Sequence, residues 1–269
     1  MAGTLRAAAV ESPEAETRWI LASVTGSTPA ALSTGGDMDE AAAARALELA
    51  RRRAAGEPLQ YVTGATGFRS IEVHVGPGVF IPRPETETVV EHVLARLPHG
   101  GIAVDVGTGS GAIALSIKAE RPDAVVWATE SSPAALAWAE RNRDRLGLDV
   151  ELAPGDLFSA LPPFLDGRID VVVANPPYIA PEEAPDLPAD VVDHEPHEAL
   201  FAPRHGLAVV TRLVEETPRL LAPQGWLVVE IAASQGEAIL ALLARVGYRG
   251  ASVERDLAGR PRVALGQRP

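Results

Sequence analysis

The chain has 269 residues, with 24 basic against 36 acidic side chains and a formal net charge of −12, a length that fits one large domain or a domain with a small appendage. Hydrophobic residues make up 46% and charged residues 22%, enough to build a sizeable core and to exclude wholesale disorder, collagen and coiled coil. The absence of cysteine removes disulfide scaffolds, thiolate zinc sites and cysteine nucleophiles and suits a reducing cytoplasm, no apolar run is long enough to span a membrane, and the acidic balance argues against a general polyanion binder.

A first helix is expected around residues 14–24. Asp37 with Glu40 three residues on forms a capping-box pattern for a second, which the Ala-rich stretch to Ala55 propagates and Gly56 ends. Ile71, Val73 and Val75 alternate with polar residues as a half-buried strand that Gly76-Pro77-Gly78 breaks, and a domain junction belongs near here. From about residue 100 apolar strands alternate with helices, the pattern of a parallel sheet with crossover helices. The expected strands are 102–106, 125–129, 150–153, 169–174, 226–231, 251–254 and 263–265. Ser132 caps an intervening helix, Pro133 suits its first turn and Gly147 ends it. Residues 180–206, rich in proline, acid and histidine, read as one long irregular loop, functional or mobile.

The segment Val104-Asp105-Val106-Gly107-Thr108-Gly109-Ser110-Gly111 follows a strand and opens a helix, so its glycines let backbone amides approach a ligand at the carboxyl end of the sheet. Gly107, Gly109 and Ala112 also satisfy the dinucleotide fingerprint, with Glu130 placed as a ribose-binding acid, so a dehydrogenase stays open on this loop alone. Asp105 tilts the choice: its charge opposes a nearby pyrophosphate and favours the ammonium of S-adenosylmethionine, which carries no phosphate. The alternative for Asp105 is a strand-end acid satisfied by backbone amides; for Glu130 it is a solvated acid near a helix N-terminus.

Asn175-Pro176-Pro177-Tyr178 follows the strand 169–174, at the same sheet edge as the glycine loop. Two prolines fix φ and remove two donors, leaving the neighbouring carbonyls free to accept. An asparagine oxygen and a proline carbonyl make a paired acceptor for a planar NH2 group, the requirement of amide or amine methylation, and Tyr178 can stack on that group. Asn175, Pro176 and Tyr178 are therefore the catalytic candidates, and the bland alternative is a proline-stiffened strand end. In Gly155-Asp156-Leu157-Phe158, Asp156 is placed to accept an adenine amino group and Leu157 to cover the ring; an Asx-turn explains the same residues.

Together these motifs resemble the peptide chain release factor glutamine methyltransferases. The resemblance covers nearly the whole chain and is carried by Glu57-Pro58-Leu59-Gln60-Tyr61-Val62-Thr63-Gly64, Phe80-Ile81-Pro82-Arg83-Pro84-Glu85-Thr86-Glu87, the glycine loop, Asn175-Pro176-Pro177-Tyr178-Ile179, and His194-Glu195-Pro196 with Ala199-Leu200. It implies an α/β fold: a helical N-terminal substrate-binding domain with a linking hairpin over residues 1–79, and a seven-stranded Rossmann-like S-adenosylmethionine-dependent methyltransferase domain, its last strand antiparallel, over 80–269. It implies further that Gly107, Thr108, Gly109, Ser110, Gly111, Glu130 and Leu157 hold S-adenosylmethionine, and that Asn175, Pro176, Pro177 and Tyr178 meet the glutamine of the Gly-Gly-Gln loop of class 1 release factors; Asp156 and Asn175 are further candidates for the cofactor and Arg83 for the substrate. The implied partner is the release factor, with no direct nucleic acid and no membrane, and the protein is expected to be a cytoplasmic monomer. Glu130 stands where members often carry Asp, and Ala232 replaces a common glycine.

Other signals weigh less. His194 and His197 lie three residues apart without a third ligand, a poor zinc pattern, so no metal is expected. Arg83 and Glu85 are expected to pair or to touch substrate, and Trp19 and Trp138 to be core residues of amphipathic helices. The competing readings are a nucleic-acid amino-methyltransferase using the same tetrapeptide and a cofactor-binding scaffold without catalysis.

Overall fold

The computed structural model describes residues 1–32 and 38–269. The N-terminal part is helical: α1 (Ala2–Ala7), α2 (Pro13–Thr25), α3 (Glu40–Ala54) and α4 (Leu59–Thr63). Helix α3 is capped by Asp39, whose carboxylate accepts from the Ala42 N–H at 2.7 Å; the Asp37 expected to cap it lies outside the described residues. Leu5, Ile20, Leu49 and Val62 join the four helices in a small core of their own. Trp19 departs from expectation, since it is 53% exposed on α2.

A hairpin, β1 (Ala65–Phe68) and β2 (Ile71–His74), follows. Its buried side chains, Phe68 and Val73, belong to the larger core of the chain, and the expected strand ends one residue before Val75. The joint between hairpin and helices is a cluster of Tyr61, Val75, Val79 and Ile81, with Trp138 packed against it; the Tyr61 hydroxyl donates to the Val79 carbonyl.

The remainder comprises α5 (Glu87–Leu94), β3 (Ile102–Val106), α6 (Ala112–Glu120), β4 (Val125–Glu130), α7 (Pro133–Leu146), β5 (Val150–Pro154), β6 (Ile169–Ala174), α8 (Ala189–His194), α9 (His197–Leu200), α10 (Ala208–Glu216), β7 (Leu221–Glu230), α11 (Gly236–Val246), β8 (Arg249–Arg255) and β9 (Pro261–Gln267). The seven strands order as β5-β4-β3-β6-β7-β9-β8. All neighbours are parallel up to β7, and β9 runs antiparallel to both β7 and β8. Alternation along each strand buries both faces: Ala103, Val171 and Val173 pack on the α5 and α6 side, while Val104, Val106 and Val172 pack with Leu213 of α10 and Ile239 of α11. The strand order reverses between β3 and β6, so the crevice for a ligand lies beyond their carboxyl ends. Asn142 of α7, fully buried, locks the hairpin to this edge: it bonds the His74 N–H and C=O at 2.7 and 2.9 Å and the Ser110 carbonyl at 2.9 Å.

Residues 181–200, within the stretch read as irregular, are largely helical. They fold into a 3₁₀ turn at Pro181–Asp186 and the short helices α8 and α9, each opened by a proline, Pro181, Pro188 or Pro196, whose fixed φ and missing N–H suit a helix start. Helices this short present no repeat of apolar positions, so periodicity could not mark them.

Candidate active site

The glycine loop turns at the end of β3, with Gly107, Gly109 and Gly111 at φ +72°, +59° and +86°, values costly for residues with a Cβ. A Cβ on Gly107 or Gly109 would meet nothing within 4 Å, so these two backbones border open space. The amides of Gly107, Thr108, Gly109 and Gly111 are spent within the protein. Gly107 and Thr108 donate to the Thr129 carbonyl at 2.9 and 3.0 Å, Gly109 to Glu130 Oε2 at 2.8 Å, and Gly111 to the Thr108 carbonyl at 2.9 Å. These four amides therefore already have partners inside the protein.

Asp105 lies beneath the loop. It is fully buried, and its Oδ2 accepts from the Thr108 hydroxyl at 2.5 Å and the Ala114 N–H at 3.2 Å, while Oδ1 has no partner. Burial pushes its carboxyl up to about 7 against these two bonds. It does not line the cavity, so the geometry favours the strand-end reading of Asp105 over direct contact with an ammonium group. Glu130, at the end of β4, does line the cavity. Its oxygens accept from Gly109 and Ser132 amides at 2.8 Å each, and a carboxylate oxygen keeps a second lone pair for a ligand hydroxyl.

Leu157, after β5, is buried against the same cavity at φ +49°, a conformation that a branched side chain adopts only when its surroundings impose it. Asp156 is not free as sequence suggested: Arg212 of α10 pairs with it at 2.7 Å on the cavity rim. This pair is exposed on both sides, where exchange for a ligand amino group costs little.

Asn175, Pro176, Pro177 and Tyr178 line the opposite wall. Asn175 Nδ2 donates to the Thr86 hydroxyl at 3.2 Å, which leaves Oδ1 as its acceptor. The Tyr178 hydroxyl donates to Glu230 Oε1 at 3.2 Å; burial, and Glu230 beside it, push the phenol up. Its carbonyl is held by Gln235 Nε2 at 2.9 Å, which also bonds the His205 carbonyl at 3.1 Å. Gly206, at φ +77°, passes so close that a Cβ there would overlap the Tyr178 carbonyl.

The junction 80–87 closes the site from the side of the N-terminal helices. Phe80, Pro82 and Thr86 line the cavity, and Arg83 does not. Arg83 and Glu85 do not pair with each other: Arg83 pairs with buried Glu195, whose Oε2 accepts the Ile81 N–H at 3.0 Å, and Glu85 meets Arg260 at 3.1 Å. His197 Nε2 lies 2.8 Å from the Val192 carbonyl, and among the described residues no group of three or more acids, histidines or cysteines is placed to hold a metal. Sequence reasoning gave no role to Thr86, Arg212 or Glu230. For Glu230 a signal existed, an acid ending a buried parallel strand next to the switch point.

A glycine loop bordering open space, an acid at the end of the next strand, an apolar wall at Leu157 and the Asn175–Tyr178 segment on the same cavity fit a cofactor with ribose and adenine. This fold and site define an S-adenosylmethionine-dependent methyltransferase. Residues 1–64 match the family model described as PrmC N-terminal domain, and residues 70–197 the methyltransferase small domain. The chain belongs to the release factor glutamine methyltransferase family: it is 38% identical over 269 residues to the Geobacter sulfurreducens member, covering 98% of this chain and 93% of that one. To the Neisseria gonorrhoeae member it is 41% identical over 257 residues, covering 95% and 93%. Solved structures of similar fold include a methyltransferase from Pyrococcus furiosus, with TM-score 0.58, 18% identity and coverage of 86% of this chain and 99% of that one. A Thermus thermophilus 16S rRNA methyltransferase aligns with TM-score 0.56 and 19% identity over 76% of this chain and 50% of that one; at such identities the likeness concerns the fold alone.

Proposed function

We propose that the protein methylates the side-chain amide nitrogen of the glutamine in the Gly-Gly-Gln motif of bacterial class 1 release factors. The observation that carries this reading is the Asn175 side chain, tied through Nδ2 to Thr86 so that Oδ1 is left to accept from a planar NH2 group. The names of the relatives, release factor glutamine methyltransferase, support the substrate.

When bound, S-adenosylmethionine supplies an electrophilic methyl group, its C–S bond breaking with the electron pair to sulfur as the acceptor nitrogen forms the new N–C bond. Glu130 holds the ribose hydroxyls and Leu157 covers the adenine, with Asp156 released from Arg212 to accept the adenine amino group. Asn175 Oδ1 and the Pro176 carbonyl accept the two amide hydrogens and turn the nitrogen toward the methyl carbon, and Tyr178 and Phe80 confine the plane. Orientation of this kind contributes up to about 7–11 kcal/mol at its upper bound. No strong base is required, because the proton leaves for water after nitrogen has become positive. Residues 1–79 hold the release factor, and the enzyme works as a monomer in the cytoplasm, where its substrate acts.

The test is methyl transfer from S-adenosylmethionine to a purified release factor, to the same factor with the motif glutamine replaced, and to duplex DNA, read by intact mass. One methyl gained by the unaltered factor alone is expected. Transfer to DNA, which the net charge of −12 and Glu198 on the cavity lining disfavour, would reject the reading.

A further inference from the structure

Two buried groups hold the tetrapeptide from its sides, Thr86 on the cavity lining and Glu230 off it. Thr86 is 3% exposed and Glu230 1% exposed, one from the junction before α5 and the other from the end of β7, and both side chains bond the acceptor wall: Thr86 holds Asn175, and Glu230 holds Tyr178. Glu230 Oε2 has no hydrogen-bond partner. The Thr86 hydroxyl, already accepting from Asn175, has one proton to place, and the Glu230 carboxyl is beside it. Thr86 and Glu230 thus hold the two ends of the acceptor wall, Asn175 and Tyr178, and stand beside each other behind it.

We propose that Thr86 and Glu230 are positioning residues for the transfer, fixing the Asn175 amide and the Tyr178 ring from behind, and that the Glu230 carboxylate in its charged form opposes the positive charge that develops on the acceptor nitrogen. This inference rests on the amide-methylation reading. As the nitrogen lone pair is shared with the incoming methyl carbon, nitrogen becomes positive until its surplus proton passes to water. A fixed charge behind Tyr178, on the wall that also carries Asn175, stabilises that positive charge in a buried site where such fields are little screened.

The groups facing Glu230 are consistent with a charge whose presence depends on pH. Burial raises its carboxyl above the ordinary range; Thr86, Arg262 of β9 and Tyr178 favour the charged form, and Glu85 opposes it. On α5, which also packs on β7, Glu87 is engaged by the Arg69 N–H at 2.9 Å. Turnover is therefore lost on the acid side as pH falls through this raised value.

The test compares wild type with Glu230→Gln, Thr86→Val and Thr86→Ser on the release factor, measuring kcat, KM and its pH profile, with S-adenosylmethionine affinity by calorimetry as a check on the folded site. Glu230→Gln and Thr86→Val are expected to lose kcat at least about tenfold, less than the hundredfold typical of a direct dipole, with KM and cofactor affinity within about twofold. Thr86→Ser restores kcat, and the acid limb of the wild-type profile disappears in Glu230→Gln. Wild-type kcat in Glu230→Gln, or an unchanged acid limb, overturns the inference and leaves the substrate reading standing. If the wild type methylates some other amide or amine, the same kcat comparison on that acceptor decides the inference; transfer to no acceptor overturns both.

Discussion

Asn175 and Thr86 meet across 89 positions of sequence, the Asn175 Nδ2 group donating to the Thr86 hydroxyl at 3.2 Å. That bond decides which end of the asparagine amide faces an incoming substrate. With the donor end tied, the oxygen is the free end, on a cavity that Pro176 and the glycine loop also line.

Asn175→Ala removes that oxygen and is expected to lower kcat by about a hundredfold or more, the loss seen for other single orienting dipoles, while cofactor affinity changes little. Single-turnover kinetics with calorimetric binding measures both, and near-wild-type turnover would remove Asn175 from the mechanism.

Gly206→Ala reaches the same wall from outside. A Cβ there collides with the Tyr178 carbonyl and stands at φ +77°, so the tetrapeptide must shift or Gln235 must release it. Both kcat and thermal midpoint should fall. An unchanged kcat in a folded variant would mean that the position of Tyr178 does not matter to the rate.

Glu195→Ala strips the Ile81 N–H of its acceptor and leaves Arg83 without its partner. Because Arg83 is partly exposed, the expected cost is about 2 kcal/mol, below the figure for a wholly buried pair. A urea midpoint equal to wild type would show that the junction is held by packing alone.

Asp105 gives the stability of the protein a pH dependence. Its carboxyl, pushed up to about 7 by burial, keeps its proton in the folded state where the unfolded state has lost it, so its contribution is full below the unfolded pKa of about 4 and is lost as pH rises through about 7. Asp105→Asn lacks this titration. Urea titrations of both proteins at about pH 5 and about pH 8 should show wild type losing on the order of a few kcal/mol relative to the variant; parallel curves would place the Asp105 titration elsewhere.

What sequence made legible was local. Gly107 to Gly111 and Asn175 to Tyr178 are contiguous motifs that follow strongly apolar strands, and β3 to β6 lie where the alternating pattern put them to within a residue, while β7 begins five residues earlier and stops one short, and β8 and β9 run one or two residues further at each end. Motif and strand end together place both walls of one crevice. The supports of those walls were not legible, because each joins distant segments: Tyr178 to Glu230 across 52 residues, Tyr178 to Gln235 across 57, Arg83 to Glu195 across 112. His194-Glu195-Pro196 was visible as a motif, yet only the fold shows that Glu195 anchors Ile81 and Arg83. Arg212 likewise captures Asp156 from a helix that no local pattern ties to it. Trp19 misled because an aromatic residue on an amphipathic helix does not reveal which face is buried.

The most direct test of the central claim is to digest a release factor after reaction with the enzyme and S-adenosylmethionine, and to locate the methyl group by fragmentation mass spectrometry. The structure predicts a single added methyl on the side-chain nitrogen of the Gly-Gly-Gln glutamine, absent when Asn175→Ala replaces wild type. A methyl group on any other residue, or one that Asn175→Ala installs as fast, would contradict it.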